Sequence, residues 1–583
     1  MSHEQAYDRA PWRRHYGEEA AKAEVVPEYD NLAALVSKAS ATYGDRIAFT
    51  TCMPNGMSGS LRFRELDEMS DAFAAYLREE VGLEPGARVA LQMPNCLSYP
   101  VAAFGIFKAG CVVVNVNPLY TPREMQHQLS DSGAEVLVVM DMFADKLASV
   151  IDHTALRRVV VTRMAEWFPP VVRGILGVIL KYWSRVIPEH GLDVTAIGDA
   201  LDLGRGHIAA GKADVASYTR DQAADDTALL QYTGGTTGVS KGAELSHGNI
   251  LSNIRQIGFV AGDHISSGEE CVLSALPLYH IFAFAVMVAF AERGARNVLV
   301  PSPRPIQNCQ RALENYPITW IFGVNTLFNA LLNEEWFSLY PPPTMKVALA
   351  GGTALHKAVA ERWENVVGCP IAEGYGLTES SPVLCFNPIE APRSDSIGIP
   401  VPGTEIRIVD DDGQCMPPGE PGEIIARGPQ VMQGYWQRPD ETAKTLKDGW
   451  LHTGDVAYMD EDGYFYIVDR KKDMILVSGF NVFPNEVEDC IARLPEVQES
   501  AVIGVPDEKS GEAVWAFVVL RADGLSAQDV RDHCKSELAR YKVPSRVEFR
   551  DELPKTPVGK VLRKDLREEI QRQGSSAAEK KVA

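Results

Sequence analysis

The sequence is defined first by what it lacks. None of its ten cysteines forms a C-x-x-C pair or stands at metal-ligand spacing. That excludes a thiolate metal cage. The scatter from Cys52 to Cys534 reads as reduced, structural thiols of a reducing compartment. No apolar run reaches the roughly 18 uninterrupted residues of a membrane span. The opening stretch, MSHEQAYDRAPWRRHYGEEAAKAEVVPEYD, is too charged for a secretory signal. Positive charge is also short: 57 Lys and Arg against 78 Asp and Glu leave a formal net charge of −21. A general nucleic-acid partner is therefore not expected, because phosphate contacts need clustered Lys and Arg. A small anionic substrate stays open, since it needs only a local positive site.

What is present is a globular composition, 45% hydrophobic and 23% charged, over 583 residues. That length exceeds one ordinary core and predicts two or more domains. From about Ala87 to Asp226, and again from Cys271 to Glu373, short β-rich runs such as CVVVNVNP, AEVLVVMD and MKVALAGGT alternate with helical stretches. The alternation predicts an α/β protein with two parallel-sheet lobes. Over 394–470, Gly/Pro turns punctuate short strands, a β-rich subdomain. A small α+β unit follows. The expected division is an N-terminal extension at 1–30, a large domain at 31–471, a C-terminal domain at 472–570 and a disordered tail at 571–583.

One segment stands apart. FPPVVRGILGVILKYWSRVIPE, residues 168–189, is apolar yet carries Arg173, Lys181 and Arg185 at multiples of four, one drifting stripe on a helix. Tyr182 and Trp183 add amphipathic rings. The pattern suits a helix lying on anionic lipid and equally a surface helix packed on its own protein.

The densest chemistry is in LLQYTGGTTGVSKGAEL, residues 229–245. Small residues let backbone N–H groups close around phosphate oxygens, and hydroxyls add donors. A nucleotide P-loop needs G-x-x-x-x-G-K-S/T. Here Lys241 follows Ser240, and Gly242 stands where the metal-holding hydroxyl would be, so the strict pattern fails.

The loop resembles instead the phosphate signature of the AMP-forming adenylating enzymes: acyl-CoA synthetases, peptide-synthetase adenylation domains and firefly luciferase. PLYHIFAF, AGGTAL, EGYGLTES, DGWLHTGD, YIVDRKKDMILVSGFNVFPNEVE and LPKTPVGKVLRKDL follow in that family's order, so the likeness spans roughly residues 30 to 570. Within the family the wording is most similar to bacterial long-chain fatty-acid–CoA ligases. The resemblance implies two steps. A carboxylate attacks the α-phosphate of ATP, giving acyl-AMP and pyrophosphate; the thiol of CoA then attacks the activated carbonyl and expels AMP.

By that resemblance Thr233, Gly234, Gly235, Thr236, Thr237 and Gly238 hold the departing phosphates, with Lys241 secondary. Thr236 and Glu379 are the magnesium-side ligands. Gly351, Gly352 and Thr353, with Glu373, Gly374, Tyr375, Gly376 and Thr378, wall the adenine, and Tyr375 either stacks on the base or packs in the core. Asp455 and Arg470 take the ribose hydroxyls. Lys560 bridges carboxylate and α-phosphate, where a compact ammonium neutralises building charge. The family rotates its C-terminal domain between the two steps, which puts the hinge at Lys472 and lets Ser478, Gly479 and Phe480 line the thiol tunnel. His280 borders the carboxylate pocket, and Phe284 stands where some long-chain relatives carry a tryptophan gate.

The function expected is a magnesium-dependent long-chain fatty-acid–CoA ligase in the cytoplasm. Fatty acids partition into lipid, which favours peripheral contact through 168–189 with the cytoplasmic face of the inner membrane. The alternatives are an adenylating ligase for medium-chain or aryl acids, one that loads a carrier protein, or a non-enzymatic fatty-acid carrier. The last would need damage at Glu379, Asp455 or Lys560, all of which are intact. Oligomeric state is not legible, a homodimer being one arrangement left open.

Overall fold

Runs such as Val112–Asn115 and Val136–Met140 are buried at every position, as strands covered by helices on both faces must be. They belong to an eight-stranded sheet in which Arg88–Gln92 lies between them, all parallel, with Arg158–Thr162 and Thr227–Thr233 further out. A second sheet has nine strands and a parallel centre of Arg296–Leu299, Cys271–Ser274, Trp320–Gly323, Val347–Gly351 and Ile371–Gly376. The computed structural model describes residues 4–22, 24–179, 188, 191–233, 240–478, 480–507, 510–522, 524–557 and 559–582. The α/β architecture with two sheet lobes stands as the sequence predicts.

A chain of buried amides locks the lobes together. Asn95 donates to the carbonyls of Ser274 and Leu276 at 3.0 and 2.8 Å and accepts the N–H of Leu278 at 2.8 Å. The Tyr99 hydroxyl lies 2.7 Å from Asn115 Oδ1 and 2.8 Å from the Leu278 carbonyl. Asn115 donates to Gln231 at 3.0 Å, and Gln231 donates to the Tyr279 carbonyl at 3.0 Å. Stranding one of these buried groups costs about 1–3 kcal/mol, so the loop leading to His280 is held by side chains of the other lobe.

The β-rich region forms a five-stranded sheet of Glu405–Val409, Gly422–Arg427, Leu446–Lys447, Trp450–Met459 and Phe465–Arg470. The N-terminal extension straps it. Tyr7 and Trp12 are buried in its core, the Trp12 ring edge-on to Phe465 at 5.9 Å. The Tyr7 and Tyr16 hydroxyls donate to the carbonyls of Met416 and Pro400 at 2.9 and 2.7 Å.

The C-terminal unit packs helices Pro484–Ala492 and Ala527–Glu537 on an antiparallel pair, Val497–Asp507 with Gly511–Leu520. The helix Arg563–Val582 enters the segment expected as a tail at 571–583. Ala577, Ala578, Glu579, Lys580 and Lys581 are strong helix formers, and the one interior glycine, Gly574, costs only about 1 kcal/mol against alanine.

The segment at 168–189 is described in part. Phe168 is buried and the helix Pro170–Val178 follows, with Leu176 buried but Val171, Ile175 and Ile179 exposed at 73%, 46% and 36%. Lys181, Tyr182, Trp183 and Arg185 lie outside the described residues. Among those described, no helix is long and apolar enough to cross a membrane.

Candidate active site

Parallel strands leave backbone amides and carbonyls free at their carboxyl ends, where α/β proteins bind ligands. Val347–Gly351 and Ile371–Gly376 pair in parallel, Ala350 against Glu373 and Gly351 against Gly374, so the two glycine-rich segments form one wall. Gly376 has no alternative: a Cβ there would fall 1.7 Å from the Pro382 carbonyl oxygen. Thr353 accepts the N–H of Asn325 at 3.4 Å, and Thr378 opens the short turn Thr378–Ser380. Burial pushes the Glu373 carboxyl up to about 8, although the Leu355 backbone N–H opposes it, so this acid is mainly neutral at pH 7.

Asp455 and Arg470 face each other on the paired strands Trp450–Met459 and Phe465–Arg470. The guanidinium Nε lies 3.2 Å from Asp455 Oδ1. The other carboxylate oxygen accepts the Tyr375 hydroxyl at 2.7 Å. Tyr375 packs against the β-rich core, and its hydroxyl aims Asp455, a role neither of the two sequence readings contained.

Glu379 accepts the Tyr435 hydroxyl at 2.7 Å. Tyr435 arrives on a two-residue strand paired with Ala243 and Glu244, beside the end of the phosphate loop. Lys241 lies over the Tyr435 ring, 5.0 Å from its centre, and is ion-paired with Glu441. Thr233 ends the strand Thr227–Thr233 that feeds the loop. Gly234, Gly235, Thr236, Thr237, Gly238 and Gly479 lie outside the described residues. Sequence reasoning missed Tyr435 and Glu441, which lie in the stretch PQVMQGYWQRPDET.

His280 caps the helix Ile281–Glu292, its Nδ1 accepting the Phe282 N–H at 3.4 Å. Burial, and then the charge of Lys560, pull its pKa down to about 4, so the imidazole is neutral. Two residues apart, the phenylalanines diverge. The Phe282 ring packs over Gly351 at the glycine-lined strand edge. Phe284 is wholly buried, edge-on to Phe107 at 6.2 Å between centres; in this conformation it is a core contact.

Lys560 comes from the C-terminal unit yet shares this site. Its turn is closed by the Lys560 N–H donating to Thr556 Oγ1 at 3.1 Å. Burial, then repulsion from Arg470 and Lys472, bring its pKa down to about 8, with Asp455 opposing. Lys472 itself is exposed, two residues past Arg470. Ser478 and Phe480 lie on a hairpin of the same unit: the Ser478 N–H donates to the Ser510 carbonyl at 2.7 Å, and the Phe480 ring stacks on Tyr541 at 4.8 Å. Among the described residues no cluster of three or more His, Cys, Asp or Glu could cage a metal.

The arrangement brings together a glycine-lined strand edge, a carboxylate held by Tyr375 and Arg470, and a cation delivered from a second unit. A family model for the AMP-binding enzymes matches residues 36–436, and one for the AMP-binding enzyme C-terminal domain matches 486–560. The chain belongs to the AMP-binding enzyme family. It is 49% identical to the long-chain-fatty-acid–CoA ligase of Yersinia pestis, over 97% of this chain and 99% of that protein. It is 48% identical to the protein of the same name from Escherichia coli O6:H1, over 94% and 96%. Among solved structures it is similar to an anthranilate CoA ligase in complex with anthranoyl-AMP, with a TM-score of 0.82, 25% identity and coverage of 96% of this chain and 100% of that one.

Proposed function

We propose that the chain is a long-chain fatty-acid–CoA ligase that forms acyl-AMP and pyrophosphate from a fatty acid and ATP, then transfers the acyl group to CoA with release of AMP. The observation that carries the adenylation is the convergence of Lys560, Asp455, Arg470 and His280 at the glycine-lined strand ends. The near full-length similarity to ligases of that name supports the acyl class.

In the first step Asp455, aimed by Tyr375, accepts the ribose hydroxyls, and Arg470 adds a donor. A lysine titrating at about 8 is mostly protonated at pH 7. Its ammonium neutralises charge on the attacking carboxylate and the α-phosphate as phosphorus becomes pentavalent. A neutral His280 can hydrogen-bond the carboxylate without adding charge. The loop from Thr233 to Gly238 clamps the leaving pyrophosphate. Glu379, held by Tyr435 beside the strand Lys241–Ser246, offers a hard oxygen donor, which suits magnesium, an ion that takes one or two carboxylates and completes its shell with phosphates and water. Magnesium bound there would offset the repulsion among the phosphate oxygens. For the second step the C-terminal unit turns about Lys472 and brings Ser478, Gly479 and Phe480 to the thiol path.

Pyrophosphate and AMP release against a panel of fatty acids, with and without CoA, tests the reading. Long-chain acids should give pyrophosphate without CoA, and acyl-CoA with AMP only when CoA is added. Turnover confined to aryl or medium-chain acids would replace the acyl assignment. The exposed stripe Val171, Ile175 and Ile179 supports peripheral lipid contact. Val171→Asp with Ile175→Asp should weaken co-sedimentation with anionic vesicles; undiminished binding removes that contact.

A further inference from the structure

Three contacts of the C-terminal unit fall on one platform of the large domain. Gly559, next to Lys560, fits so closely that a Cβ would lie 2.6 Å from Thr326 Oγ1 and 3.2 Å from Arg304. Asn329 donates to the Gln498 carbonyl at 3.1 Å. His356 Nδ1 lies 2.7 Å from Asp489 Oδ1, an ion pair when the ring is protonated. The platform is a single piece. Asn325, at the start of the helix Asn325–Leu332, accepts the His356 N–H at 3.0 Å and donates its own N–H to Thr353 at the adenine wall.

We propose that His356 and Asp489 form an interdomain latch that holds the C-terminal unit where Lys560 serves adenylation and that parts before the thiol step. The idea rests on the two-step reading above. His356 belongs to the adenine side and Asp489 to the helix Pro484–Ala492 of the swinging unit, so a turn about Lys472 separates them. The pair borders a cleft of about 390 Å³ between the units. Around it stand Lys357 and Asp395 of the large domain, and Glu486, Glu488, Arg493 and Glu537 of the C-terminal unit. Lys542 pairs with Glu486, Arg563 with Glu488 and Arg493 with Glu537, so the carboxylate that chiefly favours a protonated ring is Asp489, the one in direct contact with it. Burial opposes that, but the hydrogen bond and charge of Asp489, with the charge of Glu488, raise the His356 pKa above 6.5. The latch is complete below that raised value and weakens as pH rises through it.

The latch acts through Lys560, so both residues are positioning residues. The half-reactions are measured separately on the full chain: pyrophosphate release from fatty acid and ATP, and acyl-CoA formation from supplied acyl-AMP. His356→Ala and Asp489→Asn should slow the first about two- to fivefold, the range of a partly exposed ion pair, and leave the second unchanged or faster. His356→Arg keeps the charge, so it should restore the first step and hold it level up to about pH 8, where Lys560 itself titrates, over a range in which the wild type already declines. Equal loss in both steps, no loss in either, or failure of His356→Arg to rescue overturns the latch. If the wild type releases no pyrophosphate, the functional reading itself fails, and the two failures are thereby told apart.

Discussion

Two lysines flank the proposed nucleotide site, Lys241 opening the strand Lys241–Ser246 and Lys560 in a turn of the C-terminal unit, and their surroundings assign them opposite work. Lys241, at the end of the phosphate loop, is neutralised: Glu441 pairs with it and the face of Tyr435 supports it. Lys560 is crowded by Arg470 and Lys472, has Asp455 as its nearby counter-charge, and titrates near 8. A lysine already satisfied by protein can position a loop. One held against its own kind gains most when an anionic substrate arrives, so its interaction strengthens where the reaction needs it.

The largest effect should come from Lys560→Ala, which should lower acyl-AMP formation by about 100- to 1000-fold, the usual cost of losing one charge-stabilising group. Acyl-CoA formation from supplied acyl-AMP should persist, because that step needs no neutralised phosphorus. The wild-type pH profile carries the same signature. The working form is the ammonium, so beyond the smaller decline from the His356 latch, kcat/KM for adenylation should fall by about tenfold per unit well above pH 8. The mutant should lack that limb. Equal loss of both half-reactions would erase the distinction between the lysines.

Next in size is the hinge. The turn at Lys472 is closed by the Asp473 N–H donating to the Arg470 carbonyl at 2.9 Å. Lys472→Pro restricts φ there. Adenylation should largely survive, since Lys560 is already seated. Acyl-CoA formation should fall about 100-fold, the scale of a misplaced reacting group. Parallel loss of both steps would move the pivot away from Lys472.

These contrasts also mark what the sequence could carry. Gly376, Glu379, Asp455 and Lys560 were legible as candidates because each stands in a motif of the family resemblance. The links between them were not. Tyr435 meets Glu379 only because a two-residue strand joins the edge of a sheet far back in the chain, and no local pattern announces that pairing. The helix Ile281–Glu292 is apolar almost throughout, so periodicity could not tell which of Phe282 and Phe284 packs over Gly351. The N-terminal strap was read as an extension because Tyr7 and Trp12 acquire their meaning from a core some four hundred residues downstream. The α/β lobes were plain, since strands buried on both faces write themselves as continuous apolar runs.

The smallest effect should be at Lys241. With Glu441 and the Tyr435 ring as its partners, Lys241→Ala removes a partly exposed pair and a support for the loop rather than a charge poised for phosphate. The expected change is about a two- to fivefold rise in KM for ATP with kcat for adenylation little altered. Glu441→Gln separates the two readings of this lysine. If Lys241 only positions the loop, removing its partner loosens the loop and raises KM as Lys241→Ala does. If Lys241 acts on phosphate, the same change frees the ammonium and KM for ATP falls. Measuring KM and kcat for pyrophosphate release in both variants therefore reads the lysine's role from the sign of one shift, with no need for a large effect.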